Sequence, residues 1–219
     1  MGQHDTTPAT GLPPCGSAEV PPQQPARYVR GVNAIHNLIC SSRWWAGKVD
    51  GELLPWGLRD LDTGKRVLEF GPGFGATTKV LAGRPGDLTV LELEPGYCER
   101  LRTKLGDRIE VHEGDATRMP FADGSFSSVL CFTMLHHLHS AELQDEAFGE
   151  AFRVLQPGGV FAGTDSLGTG ILFKAIHIGD ILNPIDPAGL TERLDACGFE
   201  RISVVTGGSS FRFRAHRPA

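Results

Sequence analysis

Three carboxylates in this 219-residue chain each close or follow a short apolar run: Glu69 in VLEF, Glu92 in VLELEP and Asp115 in HEGDA. Directly after Glu69 come Gly71, Gly73 and Gly75, in EFGPGFGA. A glycine-rich turn after a strand and before a helix lets a ligand come close to the backbone. Gly71, Gly73 and Ala76 also satisfy the G-x-G-x-x-A spacing of dinucleotide sites, so the glycines alone leave the ligand open.

Charge narrows the choice. A dinucleotide would put an anionic pyrophosphate at this turn, and Glu69 would repel it. A ligand carrying an ammonium and a sulfonium, such as S-adenosylmethionine, would be attracted. Glu92 lies 21 residues after Gly71, where a carboxylate accepts both hydroxyls of an adenosine ribose, with Leu93 beside it and Glu94 as its alternative. Asp115 is placed to accept an adenine amino group, and the Ala116 N–H to reach a ring nitrogen. The plainer readings are an ion pair of Glu69 with Lys65 or Arg66, and an Asx turn at Asp115.

Methyl transfer to a hydroxyl needs a group that takes the proton, and histidine is suited to that near neutral pH. TMLHHLH places His136 and His137 at the carboxyl end of the fourth predicted strand, where open α/β sheets bind ligands. Asp165 ends the fifth strand and reaches the same rim. These three are the catalytic candidates. Substrate candidates are Tyr28, His36, Trp44 and Trp45 before the first strand, and His177 and Asp180 in the apolar insertion 171–187. Trp44 and Trp45 are about 100° apart on a helix, so only one is expected to face inward. A metal bridging His136, His137 and a carboxylate lacks any tight ligand spacing, so no metal is assigned. Arg212, Arg214 and His216 alternate with Phe211 and Phe213, and are expected on a solvated face.

The elements that hold these residues follow from the pattern. Val67–Phe70, Leu88–Leu93, Ile109–His112, Ser128–Phe132 and Gly159–Thr164 read as strands separated by helices at Ala76–Gly83, Tyr97–Leu105 and Ala141–Leu155. That alternation predicts a doubly wound α/β sheet. A helix at Pro187–Cys197 and two strands, Arg201–Thr206 and Ser209–Ala215, follow, with Gly207-Gly208 supplying positive φ for the hairpin. Residues 1–26, rich in Pro, Gly, Thr and Gln, predict a disordered tail. Residues 27–62 predict a helical cap, one helix running from Val32 to Gly47 with Ile35 and Ile39 on its apolar face, and residues 27–219 a single domain.

Composition sets the outer limits. A net charge of −5 argues against nucleic acid as partner, and five scattered cysteines argue against a disulfide frame. No apolar run is long enough to span a membrane and no secretory signal is visible, so a cytoplasmic protein, monomer or homodimer, is expected.

Taken together, VLEFGPGFGATT, VLELEP, EGDATRMPFADGSFSSV, CFTMLHHL and AFRVLQPGGVFAGTDS resemble the class I S-adenosylmethionine-dependent methyltransferases, over Val67 to about Asp165. The resemblance implies a Rossmann-like seven-stranded sheet with an antiparallel last strand, and S-adenosylhomocysteine as product. HNLICSSRWW and HIGDILNPIDP resemble small actinobacterial methyltransferases, some relatives of which methylate sugar hydroxyls. The expected activity is methyl transfer to a hydroxyl of a small molecule, a sugar or natural product, with a histidine base. The alternatives are an N- or C-methyltransferase on a small metabolite and a non-catalytic S-adenosylmethionine-binding protein.

Overall fold

Strands β1 (Arg66–Phe70), β2 (Asp87–Glu92), β3 (Glu110–Glu113), β4 (Phe126–Phe132), β5 (Leu155–Ser166), β6 (Glu200–Gly207) and β7 (Ser210–His216) form one sheet, in a computed structural model that describes residues 33–170, 173, 175 and 177–219. The strand order is β3-β2-β1-β4-β5-β7-β6. β1 to β5 pair in parallel, whereas β7 runs antiparallel to both β5 and β6. This is the seven-stranded α/β fold expected. The predicted tail and Tyr28 lie outside the described residues.

Alternation along the strands divides the core between the two faces of the sheet. Leu68, Phe70, Val129, Cys131 and Phe161 pack with Phe148 and Ala151 of α6 (Ala141–Val154) and with Leu190 of α7 (Pro187–Ala196). Val67, Val90, Leu130, Phe132 and Ala162 pack on the other side with Leu81 of α4 (Ala76–Leu81) and Leu101 of α5 (Pro95–Leu105). Each fully buried Leu or Phe contributes roughly 1.5–3 kcal/mol to this assembly.

Within the N-terminal cap, the helix expected from Val32 to Gly47 is broken in two. The chain breaks at Ser41–Ser42 into α1 (Ala34–Cys40) and α2 (Arg43–Lys48). Ser42 is the cause: its hydroxyl donates to the Ile39 carbonyl at 2.6 Å and accepts from the Trp45 N–H at 3.1 Å, ending one helix and capping the next. One π-helical turn (Val49–Leu53) then leads into α3 (Leu54–Gly57). Val49, Leu53, Leu54 and Leu58 from this segment enter the core. Ile35, expected on the apolar face, is instead 59% exposed, as is its neighbour Leu38 at 72%. The paired indoles divide as their angular spacing requires: Trp45 packs inward and Trp44 stays 67% exposed.

The C-terminal hairpin fixes this cap in place. Phe211, Phe213 and Ala215 are fully buried on one face of β7. On the other face Arg212 lies over the Trp56 ring and donates to the Trp56 carbonyl at 2.7 Å, while Arg214 donates to the carbonyls of Gly57 and Arg59. The arginine face expected to be solvated is therefore the seat of α3. The hairpin turn also differs in detail: Gly207 ends β6, and of the pair only Gly208 has positive φ, at 60°.

Gly163 shows how closely β4 and β5 approach. A Cβ there would fall 1.9 Å from the Cys131 carbonyl oxygen. Gly163→Ala is expected to destabilise the fold by about 1–3 kcal/mol through overpacking, read as a lower urea midpoint at unchanged slope. An unchanged midpoint would contradict this packing.

Candidate active site

A cavity of about 320 Å³ opens at the carboxyl ends of β1, β2, β3 and β4, a volume in the range of small-ligand sites. The turn after β1 forms its floor. Gly71, Gly73 and Gly75 all take positive φ, at 65°, 53° and 77°. They do different work. A Cβ on Gly71 would meet the Met134 side chain at 2.3 Å, and one on Gly75 would meet Leu101 at 2.4 Å. A Cβ on Gly73 would meet nothing within 4 Å, so there the open backbone faces the cavity. Gly71 and Gly73 line the cavity; Gly75 is the left-handed N-cap of α4 and is not on its wall.

The carboxylates are all at this end of the sheet. Glu92 is buried on the cavity wall, and its two oxygens accept the N–H groups of Gly73 (2.9 Å) and Glu94 (3.0 Å). Those bonds fix the carboxylate while each oxygen keeps a further lone pair for a ribose hydroxyl. Burial raises the Glu92 pKa. Leu93, Glu94, Asp115 and Ala116 line the same wall. Asp115 forms the Asx turn anticipated as its plainer role, Oδ1 accepting from the Thr117 N–H and hydroxyl at 2.8 and 2.9 Å. It does so while bordering the cavity, so the two readings coexist.

Glu69 is not on the wall, but its partner Thr77 is. The Thr77 hydroxyl donates to Glu69 Oε1, and Oε2 has no hydrogen-bond partner. No ion pair to Lys65 or Arg66 forms there among the described residues. Burial pushes the Glu69 pKa up to about 7, offset in part by the threonine hydroxyls. The carboxylate is thus harder to ionise than a free one until a cation approaches. An orphaned buried oxygen, an open glycine backbone and a fixed ribose acceptor together suit a ligand with a cationic amino acid part and an adenosine part.

Imidazoles border the same cavity. His137 and His36 line the cavity. His136 is buried behind them, its Nδ1 2.5 Å from Asp165 Oδ1, and Asp165 Oδ2 accepts the His136 backbone N–H at 3.2 Å. Neither His136 nor Asp165 is among the lining residues, so of the catalytic candidates His137 alone meets the cavity. His177 is buried beside them and Asp180 bonds His36 Nδ1 at 3.0 Å. Burial lowers the His137 pKa well below 6.5, and His136, His36 and His177 lower it further. Trp45 borders the cavity; Trp44 does not.

Sequence reasoning missed the residues that position this wall. Tyr97 on α5 donates to Asn37 Oδ1 at 2.8 Å, holding α1 over the cavity, and packs at a tilt against Phe74 of the glycine turn, with ring centroids 4.9 Å apart. Gln144 on α6, fully buried, donates to the carbonyls of Leu135 and Asn183 and so ties the insertion to the segment after β4. Thr133, also on the wall, holds a φ of 51°, a strained value for a β-branched residue. Tyr97 and Gln144 carried no signal because a lone polar residue on a helix gives none; Thr133 stood inside a motif read only for its histidines.

Comparison with known proteins agrees with this geometry. Residues 68–163 match the family model described as a methyltransferase domain. The chain is similar to a probable S-adenosylmethionine-dependent methyltransferase of Mycolicibacterium smegmatis, 29% identical over 143 residues, covering 63% of this chain and 52% of that protein. It is also similar to a fatty-acid O-methyltransferase of the same organism, 38% identical over 108 residues, covering 47% of this chain and 38% of that protein. The aligned stretches span 38% and 52% of these two relatives' own lengths. Among solved structures, a possible histamine N-methyltransferase from Thermotoga maritima shares the fold, with a TM-score of 0.62 and 19% identity over 74% of this chain and 86% of that one. The cofactor of this kind of domain is S-adenosylmethionine.

Two outcomes follow from the carboxylates. Glu92→Gln is expected to weaken S-adenosylhomocysteine binding about tenfold to a hundredfold in calorimetric titration, the loss of roughly 1.5–3 kcal/mol from charge-assisted bonds. Unchanged affinity would remove Glu92 from the site. Glu69 governs a pH effect. With its pKa raised from 4.5 to about 7, the folded chain holds a proton that the unfolded chain releases. Stability from this group is present in full below pH 4.5 and is lost as pH rises towards 7, at up to ~1.4 kcal/mol per pH unit. Urea denaturation of Glu69→Gln should lack this component, so the variant gains on the parent across that interval; a constant difference would count against it.

Proposed function

We propose that this chain, whose residues 68–163 match a methyltransferase-domain family, is a class I S-adenosylmethionine-dependent enzyme that methylates a hydroxyl of a small molecule, a sugar or natural product, with His137 as the general base. The observation that carries this reading is that the carboxylates Glu92 and Asp115 and the imidazoles of His137 and His36 border one and the same cavity.

When bound, S-adenosylmethionine supplies an electrophilic methyl group on a sulfonium. The protein has to hold an acceptor in line with that methyl, keep water out and take one proton. His137 suits the last task because burial and its neighbours keep it neutral, with a lone pair to offer, at physiological pH. His137 would take the hydroxyl proton of the acceptor as its oxygen becomes methylated. The buried His136–Asp165 pair packs against this ring, with centroids of the two imidazoles 4.2 Å apart, and fixes its position. The apolar rim from Trp45, Leu138 and Ile181 excludes water.

Further support comes from the O-methyl acceptor in the name of one relative and from the net charge of −5, which disfavours a phosphate-backbone substrate. No helix among the described residues is long and apolar enough to cross a membrane.

Turnover of methyl-labelled S-adenosylmethionine with matched panels of hydroxyl and amine acceptors tests the proposal. Hydroxyl acceptors are expected to be methylated, and His137→Asn to lower kcat by about a hundredfold or more while S-adenosylhomocysteine still binds. Turnover confined to amines, and untouched by His137→Asn, would establish the alternative N-methyl transfer.

A further inference from the structure

We propose that His36, His137 and His177 form a binding site for one divalent cation of the zinc class, open towards the cavity. The three come from separate parts of the chain: α1, the segment after β4 and the insertion before α7. One ring nitrogen of each lies within 4.8 Å of those of the other two. Their ring centroids are 4.7 Å (His36–His177), 5.0 Å (His36–His137) and 5.6 Å (His137–His177) apart.

The hydrogen bonds around the rings decide what faces the centre. His36 Nδ1 is held by Asp180 Oδ2 at 3.0 Å, and Asp180 Oδ1 is itself held by the Asn33 backbone N–H at 2.5 Å. His177 Nδ1 donates to the Phe173 carbonyl at 2.7 Å. His36 and His177 thus each have one nitrogen fixed by an outer partner, the arrangement that orients metal-binding histidines and sets their tautomer.

The remaining nitrogen of His177 is the telling atom. A carbonyl can only accept, so Nδ1 carries the hydrogen and Nε2 of the neutral ring is a bare lone pair. Nε2 is buried and has no hydrogen-bond partner, in a residue only 6% exposed. Burying such an acceptor unpaired is costly. A single shared proton would serve two of the three rings at most. A cation serves all three.

Ligand type selects the ion. Imidazoles suit zinc and its neighbours in the transition series, whereas magnesium and calcium take oxygen. At zinc–nitrogen distances of about 2.0–2.1 Å, ligand nitrogens stand roughly 3.3 Å apart in a tetrahedron. The observed spacing, within 4.8 Å, must therefore close by up to about 1.5 Å on binding. With three protein ligands the fourth position stays open, as in catalytic rather than structural sites. His36 and His137 line the cavity and His177 lies behind them, so that position faces the cavity. Resting on the hydroxyl-acceptor reading above, the ion would bind the acceptor oxygen and lower its pKa. With the ion bound, His137 is a ligand and the ion replaces it as the group that activates the acceptor, the proton going to solvent; the base role assigned above belongs to the metal-free chain.

The site is tested on the full chain without cofactor or acceptor. After chelation and dialysis, the protein is titrated with Zn²⁺, its metal content is measured, and Co²⁺ is used as the spectroscopic probe. One equivalent of bound metal and a visible Co²⁺ spectrum of low symmetry are expected. His36→Ala, His137→Ala and His177→Ala should each lower Zn²⁺ affinity by at least a hundredfold. Asp180→Asn, which removes only the outer partner of His36, should lower it about tenfold to a hundredfold. His112→Ala, on β3 and paired with Glu110, should leave binding unchanged. No stoichiometric binding to the parent chain, or binding that survives loss of His36 and His177, would overturn the site. Because the titration requires no methyl transfer, failure of hydroxyl methylation with metal still bound would overturn the reaction assigned above and leave the site standing.

Discussion

Strands β1 and β4 lie side by side and parallel, and their chains leave the sheet on opposite faces. The chain after β1 turns into α4 on the face covered by the cap, while the chain after β4 leads to α6 on the other face. Adjacent parallel strands whose connections part in this way leave a crevice at their carboxyl ends that neither helix fills. The cavity depends on this constraint. It brings the glycine turn, the carboxylate ending β2, the Asx turn after β3 and the histidines after β4 to one rim, although they are spread over some 70 positions of the chain.

Burial sets the electrostatics of that rim. Glu69 and Glu92 lie where water is scarce, and both are harder to ionise than free carboxylates. The imidazoles are held neutral for the same reason, burial lowering the pKa of His36, His137 and His177. A site with suppressed charges of both kinds has much to gain from ligands that restore them. A cationic cofactor favours the ionised form of Glu69, and a base or a cation gives the imidazole lone pairs a partner. Polar groups of the chain fix these side chains: Asp165 holds His136, Asp180 holds His36, and the Gly73 and Glu94 amides hold Glu92. Such preorganisation leaves little reordering cost at the moment of binding.

The cap completes the enclosure and links the two ends of the chain. Arg212 and Arg214 on β7 hold α3 by its carbonyls, and Tyr97 holds α1 through Asn37. Orphan carbonyls at a helix end are costly to bury, so guanidinium groups that satisfy them serve packing and hydrogen bonding at once. The same contacts carry His36 to the cavity wall, which makes the N-terminal segment part of the site as well as a cover for the sheet.

What the sequence determined alone is the local order: apolar runs of strand length, glycines needing left-handed backbone, and carboxylates at strand ends. These are short-range properties, set by side-chain period and by the sterics of φ, and they sufficed for the seven-stranded sheet and for Glu92, Asp115 and His137 at the cavity. Only the tertiary structure decided the rest. The helix break at Ser42, the seat that Arg212 and Arg214 make for α3, and the withdrawal of His136 and Asp165 behind the wall all depend on partners far away in the chain. The meeting of His36, His137 and His177 is of the same kind, since more than 100 residues separate the first from the second. No periodicity encodes such a contact, because it arises from how helices and loops pack on the finished sheet.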